Sequence, residues 1–235
     1  MNFRPRAILL DFYGTVVEED WTPLIVPCKN VIEASSETID YDELRRHWAK
    51  KFHEVCHTSH GDGFKYERDL GVESLQDAIR HFDPDLDCEP FAQDLLKYWD
   101  EYWGNPPLFP ESEDVLYALE ELDIPICIVS NIDNEVLDSA LKYNDLQFDL
   151  IVTSEDCRSY KPRPEMFEKA LSLLNRKNNE VLHVGDSLFS DVNGAKRMGI
   201  PALWINRKKR SISAEYEEPD YVSEDLTGII DILMK

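Results

Sequence analysis

An aspartate stands where a buried strand is predicted to end, close to the start of the chain. The apolar run Ala7–Leu10 predicts a short buried strand, and Asp11 and Gly14 follow it directly. A buried carboxylate is costly unless another group pairs with it, and α/β sheets bind ligands beyond the carboxyl ends of their strands. Asp11 is therefore a candidate catalytic residue. On this segment alone, a carboxylate that merely caps a turn stays an equal alternative.

Polar residues follow later apolar runs in the same way. Ser130 and Asn131 come directly after one run, and a hydroxyl with backbone N–H groups at a strand-to-helix turn can bind an anion. Lys161 precedes a helical pattern and could supply a positive charge, while Asp186 and Asp191 follow another run. Taken singly, each could be a helix cap or a solvated side chain. Their recurrence at successive strand ends favours a shared site.

Strands and helices alternate from residue 106 onward. The predicted strands of this region, with the first strand, span 7–10, 124–129, 150–153, 181–184 and 201–205. Helix-spaced apolar residues separate them over 115–122, 136–143, 166–174 and 192–198. Such alternation is typical of right-handed crossovers onto a parallel sheet covered on both faces. We predict an α/β fold with a doubly wound, Rossmann-like parallel sheet, in which the polar residues share one edge.

Residues 17–104 show the spacing of helices rather than strands. Apolar side chains recur at three- and four-residue steps, as at Leu44, Trp48 and Phe52. We expect three or four helices that form a cap inserted after the first strand, with the core in residues 1–16 and 105–235. The cap aromatics are expected to be core rather than pocket residues; they are Trp48, Tyr98, Trp99, Tyr102 and Trp103. Hinges are expected near 16–19 and 104–107.

The composition excludes several classes of partner. The chain has 47 acidic and 25 basic residues, a formal charge of −22, which disfavours nucleic acids and anionic membranes. The short basic run 208–210 is expected to be a solvated loop. Five cysteines without a C-x-x-C pair indicate a reducing compartment. Because residues 1–6 lack a signal-peptide pattern, we expect a cytoplasmic protein, monomeric or homodimeric, with a small-molecule substrate.

The polar residues now resemble a known set of motifs. Taken in chain order, they are similar to the four motifs of the haloacid dehalogenase superfamily, here Asp11-x-Tyr13-Gly14-Thr15, Ser130-Asn131, Lys161-Pro162 and Gly185-Asp186-Ser187-x-x-x-Asp191. The resemblance covers 1–16 and about 105–210, and the helical insert stands where that superfamily has its cap. It implies that Asp11 is a nucleophile whose covalent ester or acyl phosphate is hydrolysed by water. It also implies that Lys161, Ser130 and backbone N–H groups near Phe12 and Asn131 hold the transferred group.

Two motif residues favour different branches of that superfamily. Its phosphatases normally carry a second aspartate two residues after the nucleophile, as general acid and base, where this chain has Tyr13. Tyrosine there resembles the 2-haloacid dehalogenases, whose halide leaving group needs no proton. Asp186 instead favours the phosphatases. The resemblance then implies Mg²⁺ held by the Asp11 carboxylate, the Tyr13 carbonyl and Asp186, with Asp191 acting directly or through water.

Three functions follow from this resemblance. We predict a Mg²⁺-dependent phosphatase of a small phosphorylated metabolite. A 2-haloacid dehalogenase is the first alternative, with Arg46 or Arg45 as the cap arginine that such enzymes use; these two arginines are more simply a solvated helix face. The tyrosine that dehalogenases carry six residues after the motif lysine is Phe167 here. A catalytically weak binding or regulatory protein is the second alternative.

Overall fold

The computed structural model describes residues 3–19 and 22–234, without the side chains of residues 22–24. The chain is divided into two compact units. The first comprises Met1–Glu19, Pro107–Asn131 and Asn144–Lys235, and the second comprises Asp20–Pro106 and Ile132–Tyr143. Residues 1 and 2, which belong to the segment expected to lack a signal peptide, lie outside the described residues. Residues 20, 21 and 235 of the two predicted domains lie outside them as well.

A parallel sheet forms the centre of the first unit. Its strands are β1 (Ala7–Leu10), β2 (Ile126–Ser130), β3 (Leu150–Thr153), β4 (Val181–Gly185), β5 (Ala202–Ile205) and β6 (Tyr221–Ser223). They form a six-stranded sheet in the order 3-2-1-4-5-6, with every described pair parallel. All four residues of β1 are fully buried, as expected for a strand covered on both faces. This Rossmann order confirms the predicted fold class.

The described helices follow in chain order. They are α1 (Thr22–Ala34), α2 (Tyr41–Thr58), α3 (Glu67–Phe82), α4 (Glu89–Trp103), α5 (Ser112–Glu121), α6 (Asn134–Tyr143), α7 (Ser154–Cys157), α8 (Pro164–Leu174), α9 (Asn193–Arg197) and α10 (Thr227–Leu233). Helices α1 to α4 and α6 belong to the second unit, and the others belong to the first. No helix within 3–19 and 22–234 combines the length and apolar character needed to cross a membrane.

Several element boundaries differ from the sequence-based expectation. The helix expected at 192–198 begins earlier, as a π-helical turn over Leu188–Val192 that continues into α9. The Ser187 hydroxyl accepts a hydrogen bond from the Ser190 N–H (3.1 Å) and thereby starts this turn. Strand β2 begins at Ile126 rather than at residue 124, since Pro125 has no N–H for the ladder. Strand β6 and helix α10 were not predicted.

Aromatic side chains fill the interior of the second unit. Trp48, Trp99 and Trp103 are buried, as expected for core residues, while Tyr98 and Tyr102 are half-buried. The Trp48 indole N–H, on α2, donates to the Ser74 hydroxyl of α3 at 2.9 Å. A Cβ at residue 71 would meet the Trp99 ring, so a glycine there lets α3 and α4 approach closely.

Residues 132–143, which the sequence reading assigned to the core, group with the second unit. Asp133 gives one physical reason. Its carboxylate accepts hydrogen bonds from the backbone N–H groups of Glu67 (2.8 Å) and Arg68 (3.1 Å), in the first turn of α3. A carboxylate at the N-terminus of a helix satisfies free N–H groups and interacts favourably with the helix dipole.

Candidate active site

Asp11 lies directly beyond β1, at the middle of the sheet, and both of its carboxylate oxygens have partners. Oδ1 accepts a hydrogen bond from the Lys161 ammonium (2.7 Å), and Oδ2 accepts one from the Thr15 hydroxyl (2.9 Å). Burial raises the pKa of the Asp11 carboxyl to about 6, although Lys161 opposes this effect. The group is therefore mostly ionised at neutral pH and held in one orientation.

Lys161 is a buried lysine, not the solvated one that its sequence context alone would allow. Its ammonium group donates to Asp11 Oδ1, Asp191 Oδ1 and the Val129 carbonyl, each at 2.7 Å, so all three N–H donors are used. Burial alone would lower its pKa, but the two carboxylates outweigh burial and raise it. Lys161 thus keeps a positive charge beside Asp11.

Asn131 holds the backbone of Lys161 through its side chain. The amide oxygen of Asn131 accepts the Lys161 N–H (2.7 Å), and its amide N–H₂ donates to the Lys161 carbonyl (3.2 Å). The peptide between Lys161 and Pro162 is cis. Asn131, at the end of β2, therefore fixes the backbone position of Lys161. The sequence did not predict this role for the Asn131 side chain.

Asp191 is paired with a histidine that the sequence analysis missed. His183, in the middle of β4, is fully buried, and its Nε2 lies 3.0 Å from Asp191 Oδ1. The second oxygen, Oδ2, accepts the Ser187 N–H at 3.0 Å. Burial favours protonated Asp191, but Lys161 and His183 outweigh it and hold its pKa below the usual range. The sequence signal that could have identified His183 is its position as the one polar residue in the otherwise apolar run 181–185.

The carboxyl group of Asp186 lies against the turn that follows the nucleophile. A Cβ at Gly14 would stand 2.9 Å from Asp186 Cγ, and Gly14 has a φ of +75°, which favours glycine. Burial raises the pKa of Asp186 well above its usual value, and the negative charges of Asp11 and Glu19 raise it further. A cation beside Asp186 would therefore favour its carboxylate form.

Three carboxylates converge at this edge of the sheet. Asp11, Asp186 and Asp191 each offer an oxygen, and these atoms lie within 4.8 Å of one another. Oxygen donors of this kind suit Mg²⁺. Each oxygen of Asp11 accepts one hydrogen bond, whereas Asp191 Oδ1 lies within hydrogen-bond distance of both Lys161 and His183, so Asp11 and Asp186 have more room for a cation than Asp191. The residues present therefore fit a divalent cation.

The model of one protein family matches most of the chain. The haloacid dehalogenase-like hydrolase model matches residues 5–199, which include every motif residue described above. The chain belongs to this family. It is thus a haloacid dehalogenase-like hydrolase, as its sequence motifs predicted, and its relatives include both phosphatases and dehalogenases.

Known relatives of this haloacid dehalogenase-like hydrolase fall into both classes. The pyrophosphatase PpaX of Bacillus cereus is 31% identical over 193 residues, 77% of this chain and 86% of that protein. The ribulose-1,5-bisphosphate 5-phosphatase of Halopiger xanaduensis is 29% identical over 120 residues, so the match spans about half the length of each protein. The structure of the L-2-haloacid dehalogenase from Xanthobacter autotrophicus has a TM-score of 0.72, with 19% identity and 98% of each chain covered. That likeness supports the fold.

The basic run of this haloacid dehalogenase-like hydrolase is not simply a solvated loop. Lys208 and Lys209 are exposed, as expected. Arg210, however, donates from Nη2 to the Asp186 carbonyl (2.7 Å), and the same atom lies 3.6 Å from Asp186 Oδ2. The sequence pattern could not show this contact because it joins residues that follow different strands.

The other predicted site residues lie in both units. Phe12 is fully buried, and its carbonyl accepts the backbone N–H groups that close the turn after Asp11. Tyr13 is half-buried with its ring edge-on to Phe12, and Ser130 is buried at the end of β2. Arg46 is exposed on α2 of the second unit. The substrate contacts assigned to Phe12, Ser130, Asn131 and Arg46 stay predictions.

Proposed function

We propose that this hydrolase is a Mg²⁺-dependent phosphatase of a small phosphorylated metabolite, with Asp11 as the nucleophile. The observation that carries the proposal is the carboxylate of Asp186 beside that of Asp11, with Asp191 completing a group whose oxygens lie within 4.8 Å. A displacement at carbon needs one carboxylate. A second one beside it is useful when a metal must be held next to an anionic phosphate.

The side chains around Asp11 suit phosphoryl transfer. An oxygen of Asp11 would attack phosphorus while the bond from phosphorus to the leaving oxygen breaks, giving an acyl phosphate that water hydrolyses. Lys161, 2.7 Å from Oδ1, and the Thr15 hydroxyl, 2.9 Å from Oδ2, hold the carboxylate in place for this attack. Asp11 and Asp186 would hold Mg²⁺, with the Tyr13 carbonyl, and Asp191 would contribute directly or through water. Bound Mg²⁺ would offset the negative charge of carboxylates and phosphate.

Tyr13 limits which phosphates we expect to be good substrates. A phenol is a much weaker acid than a carboxylic acid, so it is a poor substitute for the group that protonates a leaving oxygen. Acyl phosphates, anhydrides and aryl phosphates, whose leaving groups need little protonation, are therefore favoured. The similarity to a protein named a pyrophosphatase agrees with this class, since pyrophosphate is a phosphoanhydride.

A 2-haloacid dehalogenase is the second candidate, and Tyr13 is the observation that favours it. Halide leaves without a proton, so the absence of an acid at position 13 would cost nothing there. Phe167 weakens this candidate because it is fully buried against His183, with ring centroids 5.0 Å apart, and it has no hydroxyl for a substrate carboxylate.

All five cysteines are free, which supports the proposed reducing, cytoplasmic location.

One pair of assays separates these functions. Hydrolysis of p-nitrophenyl phosphate and halide release from 2-chloropropionate are measured with Mg²⁺ and with EDTA, for the natural protein and for Asp11→Asn. We expect phosphate release that EDTA abolishes and that Asp11→Asn lacks. Halide release that resists EDTA would establish the dehalogenase instead. No turnover in either assay, with small-molecule binding retained in Asp11→Asn, would favour a binding protein.

A further inference from the structure

A cavity of the first unit adjoins the candidate active site. Its volume is about 200 Å³, and the residues that line it include Gly14, Asp186, Glu19, Arg207, Lys208 and Arg210. Since a water molecule occupies about 30 Å³ in the liquid, the cavity has room for a group much larger than one water. Gly14 and Asp186 belong to the site already described. The cavity therefore begins where the nucleophile turn ends.

The cations of this cavity come from one short segment. Residues 207–210 read Arg-Lys-Lys-Arg, the longest basic run in a chain of charge −22. The guanidinium of Arg207 is fixed by Glu111 (2.6 Å) and the Thr15 carbonyl (2.8 Å), and it stacks 3.5 Å from the centre of the Phe109 ring. An arginine held in this way forms a wall that does not have to be ordered when a ligand binds, although Glu111 offsets its charge.

Lys208 is the cation of this cavity that is open to a ligand. It is exposed, and it forms no ion pair within the part of the chain that the structure describes. Arg210, in contrast, already contacts Asp186. The charge of Lys208 acts on Glu19, but no ion pair among the described residues has to be broken for this lysine to contact an anion.

Carboxyl groups also line the cavity, and one of them is partly neutral. Burial, followed by the charge of Asp11, raises the pKa of Glu19 to about 7. The Glu19 carboxyl therefore repels an anion less than an ordinary glutamate carboxylate does. Glu18, which also lines the cavity, is exposed, so water screens its charge.

We propose that this cavity is a second anion subsite, which binds the non-transferred phosphoryl group of a substrate that carries two, such as a diphosphate or a bisphosphate. Lys208 is the principal contact, while Arg207 and Arg210, whose charges Glu111 and Asp186 offset, form the fixed wall beside it. This inference rests on the phosphatase function proposed above. It adds the substrate class, which the residues around Asp11 do not specify.

The decisive experiment compares Lys208→Met with Lys209→Met. Lys209 is the adjacent, exposed lysine; it pairs with Glu224 at 2.9 Å and does not line the cavity. Both variants remove the same charge from the same loop, so any general loss of anion attraction is shared. The probes are methylenediphosphonate and methylphosphonate, titrated calorimetrically into the whole protein with Mg²⁺ in constant excess over the probe.

We expect Lys208→Met to raise the Kd of methylenediphosphonate about tenfold relative to Lys209→Met, a change of about 1.4 kcal/mol. The Kd of methylphosphonate divided by the Kd of methylenediphosphonate should fall by the same factor in Lys208→Met and stay constant in Lys209→Met. An equal effect of both variants would show a general charge effect and overturn the proposal. Equal weakening of both probes by Lys208→Met would overturn it as well.

Turnover separates this inference from the function on which it rests. The ratio of kcat/KM for pyrophosphate to kcat/KM for p-nitrophenyl phosphate should fall about tenfold in Lys208→Met and stay constant in Lys209→Met. If p-nitrophenyl phosphate is hydrolysed but the two variants give the same ratio, the phosphatase stands and the subsite is wrong. If the binding difference is found without any phosphate release, the subsite stands and the phosphatase is wrong.

Discussion

Gly14 and Asp186 adjoin so closely that a Cβ on residue 14 would lie 2.9 Å from Asp186 Cγ. We therefore expect Gly14→Ala to displace the Asp186 carboxyl and to weaken Mg²⁺ binding. The positive φ of +75° adds a backbone cost of about 1 kcal/mol. Mg²⁺ titration of phosphatase activity and urea unfolding measure the two effects.

Gly199→Ala is the matched control for this prediction. Gly199 has a φ of +68°, but a Cβ there would meet no atom within 4 Å. The control should lose similar stability and keep its Mg²⁺ requirement. If both variants need the same concentration of Mg²⁺ as the natural protein, the close approach of Asp186 to Gly14 has no functional role.

Removal of the Lys161 charge should cost both stability and activity. Lys161→Met leaves the buried carboxylates of Asp11 and Asp191 without their cation, and breaking a buried ion pair costs about 3–5 kcal/mol. Urea unfolding at neutral pH measures the loss. Lys169→Met, which breaks the partly exposed pair with Asp156 at 3.3 Å, should cost less than about 1 kcal/mol. Similar losses in both variants would contradict the buried pairing.

Tyr13→Asp should increase turnover of phosphate esters with poor leaving groups. A carboxylic acid at this position can protonate the leaving oxygen, and general acid catalysis contributes about 10²–10⁴-fold where it is well placed. We expect at least a tenfold rise in kcat for an alkyl phosphate, roughly the lower part of that range, and a smaller rise for p-nitrophenyl phosphate. Tyr13→Asn, which cannot supply the proton, should show no such selectivity. An equal rise in both variants would indicate that only the bulk of the tyrosine matters.

His183 is a positioning residue whose N–H orients Asp191 and, through it, Lys161. Its pKa is lowered by burial, so the ring is neutral near pH 7. A hydrogen bond to a charged group contributes about 1.5–3 kcal/mol, so His183→Phe should lower kcat about 10- to 100-fold while KM changes little. His183→Gln, which keeps an N–H donor, should recover part of kcat. Loss of stability without the kcat difference between the two variants would indicate a purely structural role.

The strand ends that carry the site could be read from the sequence because each signal is local. Ala7–Leu10 and Val181–Val184 are apolar runs, and Asp11 and Asp186 come shortly after them in the chain. Parallel pairing of the two strands brings these ends to the same edge of the sheet. The partners of Lys161 could not be read in this way. Its bond to Asp11 joins residues 150 positions apart, and its depth depends on how β2 and α8 pack. His183 was missed because an apolar strand pattern predicts burial but not the contact of a single side chain.

The expected helical insert shows the same limit. Helical spacing identified its helices, but the grouping of 132–143 with them depends on the Asp133 carboxylate, which binds N–H groups 65 and 66 residues away. A short, half-exposed strand such as β6 has no apolar run to mark it. The cavity beside Asp186 is likewise formed by residues that follow different strands.

The pairing of β1 with a strand on each side limits which parts of this protein can vary in sequence during evolution. Leu9 is in register with Cys127 on one side and with His183 on the other, so the end of β1 is located by two ladders at once. A shift of one residue would have to break both and would turn buried side chains to the opposite face. The backbone position of Asp11 is thus fixed by strands on both sides. Residues around the cavity, such as Lys208, can vary during evolution and alter substrate preference while Asp11 stays in place.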